Sequence, residues 1–330
     1  MASRQDEMYQ TSTSPEGRRA DSWIEDAIAR DPVLGRLLPQ LRRLAASDGP
    51  VLISGEAGSG RELAARAIHN LSSRSAHPFV LVDCAGLTER LLEAEILGVA
   101  EPGTRNVQKP GIFQQAGNGT VLLAEVGELT ARLQEAVLRV LDRHEVAPLD
   151  ADASMPVRAR VLATTSVDLR TRVPAGLFRD DLHTRLAGDV LALPALRERP
   201  DDIPVLARRI LEQCCGHLPQ AAREISPEAL AVLRNSSWSG NQRELREVIE
   251  EAAVRARGER IGPEHLSERL RGEVQRGGPL PSLRDVEMRH IERVLQEARG
   301  NQRRASRILG ISRWSLSRRL RKYGMQARQD

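Results

Sequence analysis

Gly55, Gly58 and Gly60 lead into Arg61 and Glu62 within "VLISGEAGSGRELAARAIHN", Val51 to Asn70, where an apolar run gives way to a glycine-rich turn and then to a helical pattern. Glycines at this spacing let backbone N–H groups converge on an anion, and the N-terminus of the following helix adds its dipole. The stretch therefore has the layout of a phosphate-binding loop. Its candidate nucleotide-binding residues are Gly55, Glu56, Gly58, Ser59, Gly60, Arg61 and Glu62. One position departs: the pattern G-x-x-x-x-G-K-[ST] ends here in Arg61-Glu62. A guanidinium keeps the charge but is planar and bulkier than an ammonium, so the exchange is not conservative. With only two lysines in the chain, Lys109 and Lys322, against 47 arginines, drift from Lys to Arg also accounts for the residue.

A different chemistry closes the chain. From Ser282 to Asp330 there are thirteen Lys and Arg against five Asp and Glu, and Arg299 to Arg328 holds ten cationic side chains and no acidic one. Such density suits a polyanion. Within "GNQRRASRILGISRWSLSRRLRKYGM" the spacing predicts a helix with Ala305, Ile308 and Leu309 inward and a tight turn at Gly310-Ile311. A second helix follows, N-capped by Ser312, with Leu316 and Leu320 inward. This is a helix-turn-helix. Its second helix offers Arg313, Ser315 and Arg318 to a major groove, with Arg319, Arg321 and Lys322 in reach of phosphates.

The elements that must position these residues are legible from patterning. Hydrophobic residues make up 40% of the 330 and aromatics 2%, so the core is built from Leu, Val, Ile and Ala. Short apolar strands, "PVLISG", "PFVLVDCAG", "GTVLLAEV" and "ARVLATTS", alternate with helical stretches, which predicts an α/β fold with a parallel sheet covered on both faces. From Asp201 to about Leu270 the periodicity is helical only. The expected organisation is a polar tail over 1–20, an α/β nucleotide-binding-like domain over 21–198, a helical lid over 199–270, a Gly/Pro-rich linker over 271–282 and an all-α DNA-binding domain over 283–330. No apolar run approaches the roughly 20 residues needed to cross a bilayer, and the start lacks an apolar signal segment. Three cysteines, two of them adjacent, argue against a disulfide framework and for a reducing, cytoplasmic setting. Cys214, Cys215 and His217 lie close together, but their spacing does not read as a metal site, and no metal ligand is assigned.

The last 48 residues resemble the Fis-type DNA-binding domain. That resemblance implies a two-fold dimer through its long first helix, a backbone-holding role for Asn301, and base or phosphate contacts by Arg313 and Arg318. Trp314 departs from the small or polar residue usual there and is either a groove contact or a packing residue. Asp21 to Leu270 resembles the AAA+ domain of bacterial enhancer-binding proteins, the activators of sigma-54 RNA polymerase. "LFRDDLHTRL" is similar to the arginine-finger helix of that family, "LPALRERPDDIPVLA" to the lid entry and "WSGNQRELREVIEEA" to the sensor II segment. The resemblance implies that Arg179 and Arg185 reach a neighbouring subunit's nucleotide and that Arg243 is the lid arginine. All of these place positive charge around a γ-phosphate.

Five positions depart from the family pattern. Besides Arg61, the strand "GTVLLAEV" ends in Ala124-Glu125 where the family has Asp-Glu, leaving Glu125 as a catalytic remnant without the metal-side carboxylate. Asp83 replaces an asparagine that bonds the catalytic Glu, so two carboxylates are expected to repel or share a proton. Ser166 replaces the sensor I asparagine, and "VAEPGTRNVQKPGIF" lacks the G-A-F-T-G-A loop that touches sigma-54. The expectation is a sequence-specific regulator of double-stranded DNA, deficient in ATP hydrolysis and sigma-54 contact, working with housekeeping-sigma RNA polymerase. It would be at least a homodimer, with the AAA+ body as scaffold or sensor. ATP or ADP, Mg²⁺ and cyclic di-GMP are the ligands in question. Two alternatives remain: an active ATP-dependent activator, and a partner that forms mixed oligomers with an intact relative.

Overall fold

The computed structural model describes residues 32–101, 107–151, 153–215, 222, 224–270, 291, 294–295, 298, 302–311, 315–316 and 319–320. The expected tail over 1–20 and linker over 271–282 lie outside the described residues. In chain order the elements are α1 (Pro32–Ala45), β1 (Val51–Ser54), α2 (Arg61–Asn70), β2 (Phe79–Asp83), α3 (Glu89–Leu97), β3 (Gly98–Ala100), β4 (Val107–Pro110), α4 (Ile112–Ala116) and β5 (Thr120–Ala124). Then come α5 (Ala131–Arg143), β6 (Glu145–Val146), β7 (Met155–Pro156), β8 (Arg160–Thr165), α6 (Leu169–Arg172), α7 (Asp180–Leu186), β9 (Val190–Ala192), α8 (Ile203–Cys215), α9 (Pro227–Arg234) and α10 (Asn241–Arg255).

Five strands form a parallel sheet in the order β2-β5-β8-β1-β9. Alternate residues point to opposite faces, and both faces are covered. Val80, Val82, Val121, Leu123 and Val161 pack with Leu92 and Ile96 of α3, Leu133 and Val137 of α5 and Leu182 of α7. Val51, Ile53, Phe79, Leu122 and Leu162 pack with Leu41 and Leu44 of α1 and with Ala64, Ala65 and Ile68 of α2. Burial on both sides is why these strands read as continuous apolar runs. Because β8 lies between β5 and β1, the carboxyl ends of the three strands bring Glu125, Ser166 and the loop after Ser54 into one crevice. Ligands of open α/β sheets bind at such an edge.

Strand β9 was not legible in the sequence. It is three residues long and extends the sheet beyond β1, with Leu52 opposite Val190. The antiparallel hairpin β3–β4 carries the segment read as an insertion, and its tip, 102–106, lies outside the described residues. The helical lid is α8, α9 and α10, as the periodicity predicts. Ser226 caps α9 by accepting from the Ala229 N–H at 3.0 Å, and the fully buried Trp238 donates its indole N–H to the Leu233 carbonyl at 2.8 Å. Among the described residues no helix is long and apolar enough to cross a membrane, and Cys84 and Cys214 are buried.

Two compact units divide between Ser267 and Glu268. In the second, Ile291, Val294, Ala298, Ala305, Leu316 and Leu320 form a small core. The helix Gln302–Ile308 ends at Gly310, whose φ is 64°. Its N–H bonds the Arg307 carbonyl while the Ile311 N–H bonds that of Ser306, the pair of bonds of a Schellman stop. Ile308 corrects the sequence reading: it is 52% exposed. Leu309 lies about 40° from Ala305 around the helix and Ile308 about 60° on the other side, so the small core takes Leu309 and leaves Ile308 in solvent.

Candidate functional site

The loop between β1 and α2 is built around Gly60, which caps α2 at φ 101° without any side-chain cap. The first N–H groups of α2 are thereby left to an external acceptor. Ser59 is buried, and its Oγ has no hydrogen-bond partner among the described residues. The Arg61 side chain is only 10% exposed. One of its terminal nitrogens, Nη2, donates to Glu125 Oε1, while the other, Nη1, is buried with no hydrogen-bond partner among the described residues. Glu62, in the first turn, accepts from Arg66 at 3.1 and 3.3 Å as an i,i+4 pair and is 58% exposed.

Glu125 closes β5 with left-handed backbone, φ 55° and ψ 51°, a conformation uncommon for residues other than glycine. Its N–H donates to Thr164 Oγ1 at 3.3 Å. Its carboxylate accepts from three donors: Arg61 Nη2, the Ser166 N–H at 2.9 Å and the Ser166 hydroxyl at 2.7 Å. Burial pushes this carboxyl up, but Arg61 and Ser166 together outweigh burial and hold it below the usual carboxylate range. Among the described residues no hydrogen bond joins Asp83 to Glu125. Asp83 is exposed, and its Oδ1 accepts from the Ala85 N–H at 3.0 Å, while Glu125 is neutralised from the β1 and β8 side. The neighbouring Cys84 thiol is pushed up by burial and then by Asp83 and Glu125, so it is no nucleophile.

Glu56 serves the lid. It accepts from both terminal nitrogens of Arg197 at 2.6 and 2.7 Å and from Asn241 Nδ2 at 3.1 Å. Arg197 and Asn241 lower its carboxyl to about 2. Asn241 is fully buried. Besides bonding Glu56 it donates to the Ala57 carbonyl at 3.0 Å and accepts from the Leu196 N–H at 2.7 Å. The Gln242 N–H bonds the Gly58 carbonyl at 3.1 Å. Gly58 has φ 74°, and a Cβ there would collide with the Gly240 carbonyl oxygen, so only glycine lets lid and loop approach this closely. Sequence reasoning missed Arg197 and Asn241 as loop-binding residues. Gly-Asn ahead of a helix is a local turn signal, but nothing in it points 185 residues back to Glu56.

Of the remaining candidates the structure brings only Arg243 next to the loop among the described residues. Arg243 is exposed on α10, beside Gly58. Arg179 caps the start of α7, its N–H held by the buried Gln134 at 2.8 Å, and its guanidinium pairs with Asp181. Arg185 pairs with Asp142 at 2.5 Å. At 44% and 56% exposed, both lie on the surface. Of the DNA-binding candidates, Ser315 and Arg319 are described and half-buried, flanking the buried Leu316 and Leu320. Asn301, Ser312, Arg313, Trp314, Arg318, Arg321 and Lys322 lie outside the described residues.

Comparison with known proteins covers the same regions. Residues 27–191 match the Sigma-54 interaction domain, 197–282 the AAA+ ATPase lid domain, and 282–323 the bacterial regulatory proteins of the Fis family. The chain is 35% identical over 313 residues to the transcriptional regulatory protein GlrR of Escherichia coli strain K12, spanning 93% of this chain and 70% of that one. It is 37% identical over 311 residues to the regulatory protein AtoC of the same strain, spanning 90% and 68%. The crystal structure of NtrX from Brucella abortus in complex with ADP superposes with a TM-score of 0.70 at 30% identity, covering 88% of this chain and 68% of that one. NtrX in complex with ATP gives 0.70 at 29% identity, covering 89% and 68%.

Proposed function

This chain belongs to the family of bacterial sigma-54-dependent transcriptional regulators, and from that premise we propose that it is a sequence-specific DNA-binding regulator that binds a nucleotide but is deficient in hydrolysing it. The residues fit a phosphate. Ser59 Oγ and Arg61 Nη1 are buried polar atoms without partners among the described residues at an uncapped helix N-terminus, and the similar NtrX is solved in complex with ADP and with ATP. Gly55, Gly58, Gly60, Ser59 and Arg61 would hold the phosphates, with Arg243 approaching from the lid. The residues do not fit a divalent cation in the same way. Position 124 is alanine, Glu62 is paired with Arg66, and the Glu125 carboxylate already accepts three hydrogen bonds.

The observation that carries the deficiency is the state of Glu125. A carboxylate stabilised as an anion by three donors is a weaker base toward water, and its engagement with Arg61 takes one edge of the cation that a phosphoryl transfer needs. ATP turnover by the purified chain should be no faster than turnover by Glu125→Ala. Mg-dependent turnover that the substitution abolishes would overturn this reading.

For the partner, the family addresses RNA polymerase carrying sigma-54, and nothing in the comparisons favours the housekeeping sigma expected from the sequence. The absent G-A-F-T-G-A segment supports a regulator that occupies DNA without remodelling sigma-54. The domain boundaries expected from the sequence, with the AAA+ body over 21–198 and its lid over 199–270, are the organisation we adopt. The exposed Arg179 and Arg185, whose guanidinium groups sit in surface ion pairs, favour a second role in which the chain inserts into oligomers of an intact relative. Co-purification with such a relative, lost in an Arg179→Ala/Arg185→Ala variant, tests it. Calorimetry with cyclic di-GMP alongside ATP and ADP tests the sensor role.

A further inference from the structure

Arginine differs from lysine in offering separate donor edges, so one guanidinium can serve two anions at once where an ammonium is a single point charge. Arg61 is placed to do this: Nη2 is committed to Glu125 and Nη1 is buried with no hydrogen-bond partner among the described residues, as is Ser59 Oγ at the start of α2. Glu125 is in turn fixed by both donors of Ser166 and by its own left-handed backbone, so it is not free to swing aside without losing two further hydrogen bonds.

We propose that the Arg61–Glu125 pair is an internal latch that makes this site selective for a nucleoside diphosphate over a triphosphate. The inference rests on the reading that the loop binds nucleotide. A diphosphate can use the uncapped N–H groups of α2 together with Arg61 Nη1 and leave the latch closed. A triphosphate carries a further doubly charged group that must share the same guanidinium with the Glu125 carboxylate, and either it meets that charge or it breaks the pair. Replacement of the loop lysine by Arg61 and retention of Glu125 thus act together as a specificity device.

The test is calorimetric titration of the full chain with ADP and with a non-hydrolysable ATP analogue, for the wild type, Glu125→Gln and Glu128→Gln. Wild type should bind ADP about tenfold more tightly than the analogue, a ratio equivalent to one charge-assisted hydrogen bond. Glu125→Gln should tighten analogue binding about tenfold and change ADP binding by less than about threefold. Glu128→Gln removes a nearby exposed carboxylate that is bonded to Arg172 and not to Arg61, and should leave the ratio unchanged. Equal affinities in the wild type, preference for the analogue, or a Glu128→Gln shift as large as that of Glu125→Gln would overturn the latch while leaving nucleotide binding intact. Binding of neither nucleotide to any of the three would remove the nucleotide reading along with it.

Discussion

A charged side chain in a protein interior costs free energy unless its partners are fixed with it, and the buried titratable groups of this chain show two ways of meeting that cost. Arg61 and Glu125 meet it by pairing, each supplying the other's counter-charge. His69 meets it by staying neutral. Its ring is buried, Nδ1 lies 2.8 Å from Thr120 Oγ1, and the ring tilts against Phe79. Burial first, and then the charge of Arg66, push the imidazole from 6.5 down to about 4. Between these values the unfolded chain takes up a proton that the folded chain refuses. Stability is therefore fully present above pH 6.5 and falls as the pH drops toward 4, by at most about 3 kcal/mol from this group. Thermal unfolding midpoints measured across that window should fall more steeply for the wild type than for His69→Gln. Equal slopes would remove His69 from this account.

At the scale of elements, the phosphate loop is held as much by the lid as by its own strand and helix. Asn241 at the start of α10 joins three separate pieces of backbone and side chain: the Leu196 N–H, the Ala57 carbonyl and the Glu56 carboxylate. Its left-handed φ of 53° is one that asparagine tolerates better than most residues. Replacing Asn241 by Ala leaves the buried Leu196 N–H without its acceptor and removes two donors, which should cost about 2–3 kcal/mol. Urea denaturation of Asn241→Ala checks the size. A loss under about 0.5 kcal/mol would mean that the lid docks through its apolar contacts alone. The same arrangement gives Glu56 a positioning role in place of the phosphate contact expected from its place in the loop.

For the molecule as a whole, the charge is segregated: the chain carries +4, while the segment from Ser282 onward carries thirteen cationic against five acidic residues. Ten cationic side chains between Arg299 and Arg328 would displace counterions from a duplex. DNA affinity should then fall by about three to five orders of magnitude between roughly 50 and 200 mM salt. It should not depend on added ATP, since the AAA+ body is proposed to act without turnover. Footprinting across a salt series, with and without nucleotide, checks both. A flat salt response would exclude the basic segment as the principal contact.

What could be read from the sequence alone was whatever depends on near neighbours along the chain. The four longer strands, the glycine loop with its helix, the helical lid and the stop at Gly310 are all set by periodicities of two or 3.6 residues and by backbone freedom at single glycines. The same patterning announced a phosphate site and a basic DNA-binding end, while β9 was too short to register. Which carboxylate meets which cation was decided by the fold. Glu125 pairs with Arg61 because β8 separates β1 from β5 in the sheet, and Glu56 pairs with Arg197 and Asn241 because the lid returns onto the loop. The sequence set Glu125 against Asp83 of β2, whereas its hydrogen bonds come from the other side of β5, from Arg61 and Ser166. Neighbouring strand ends offer several charged groups within reach, and only the packed geometry selects among them.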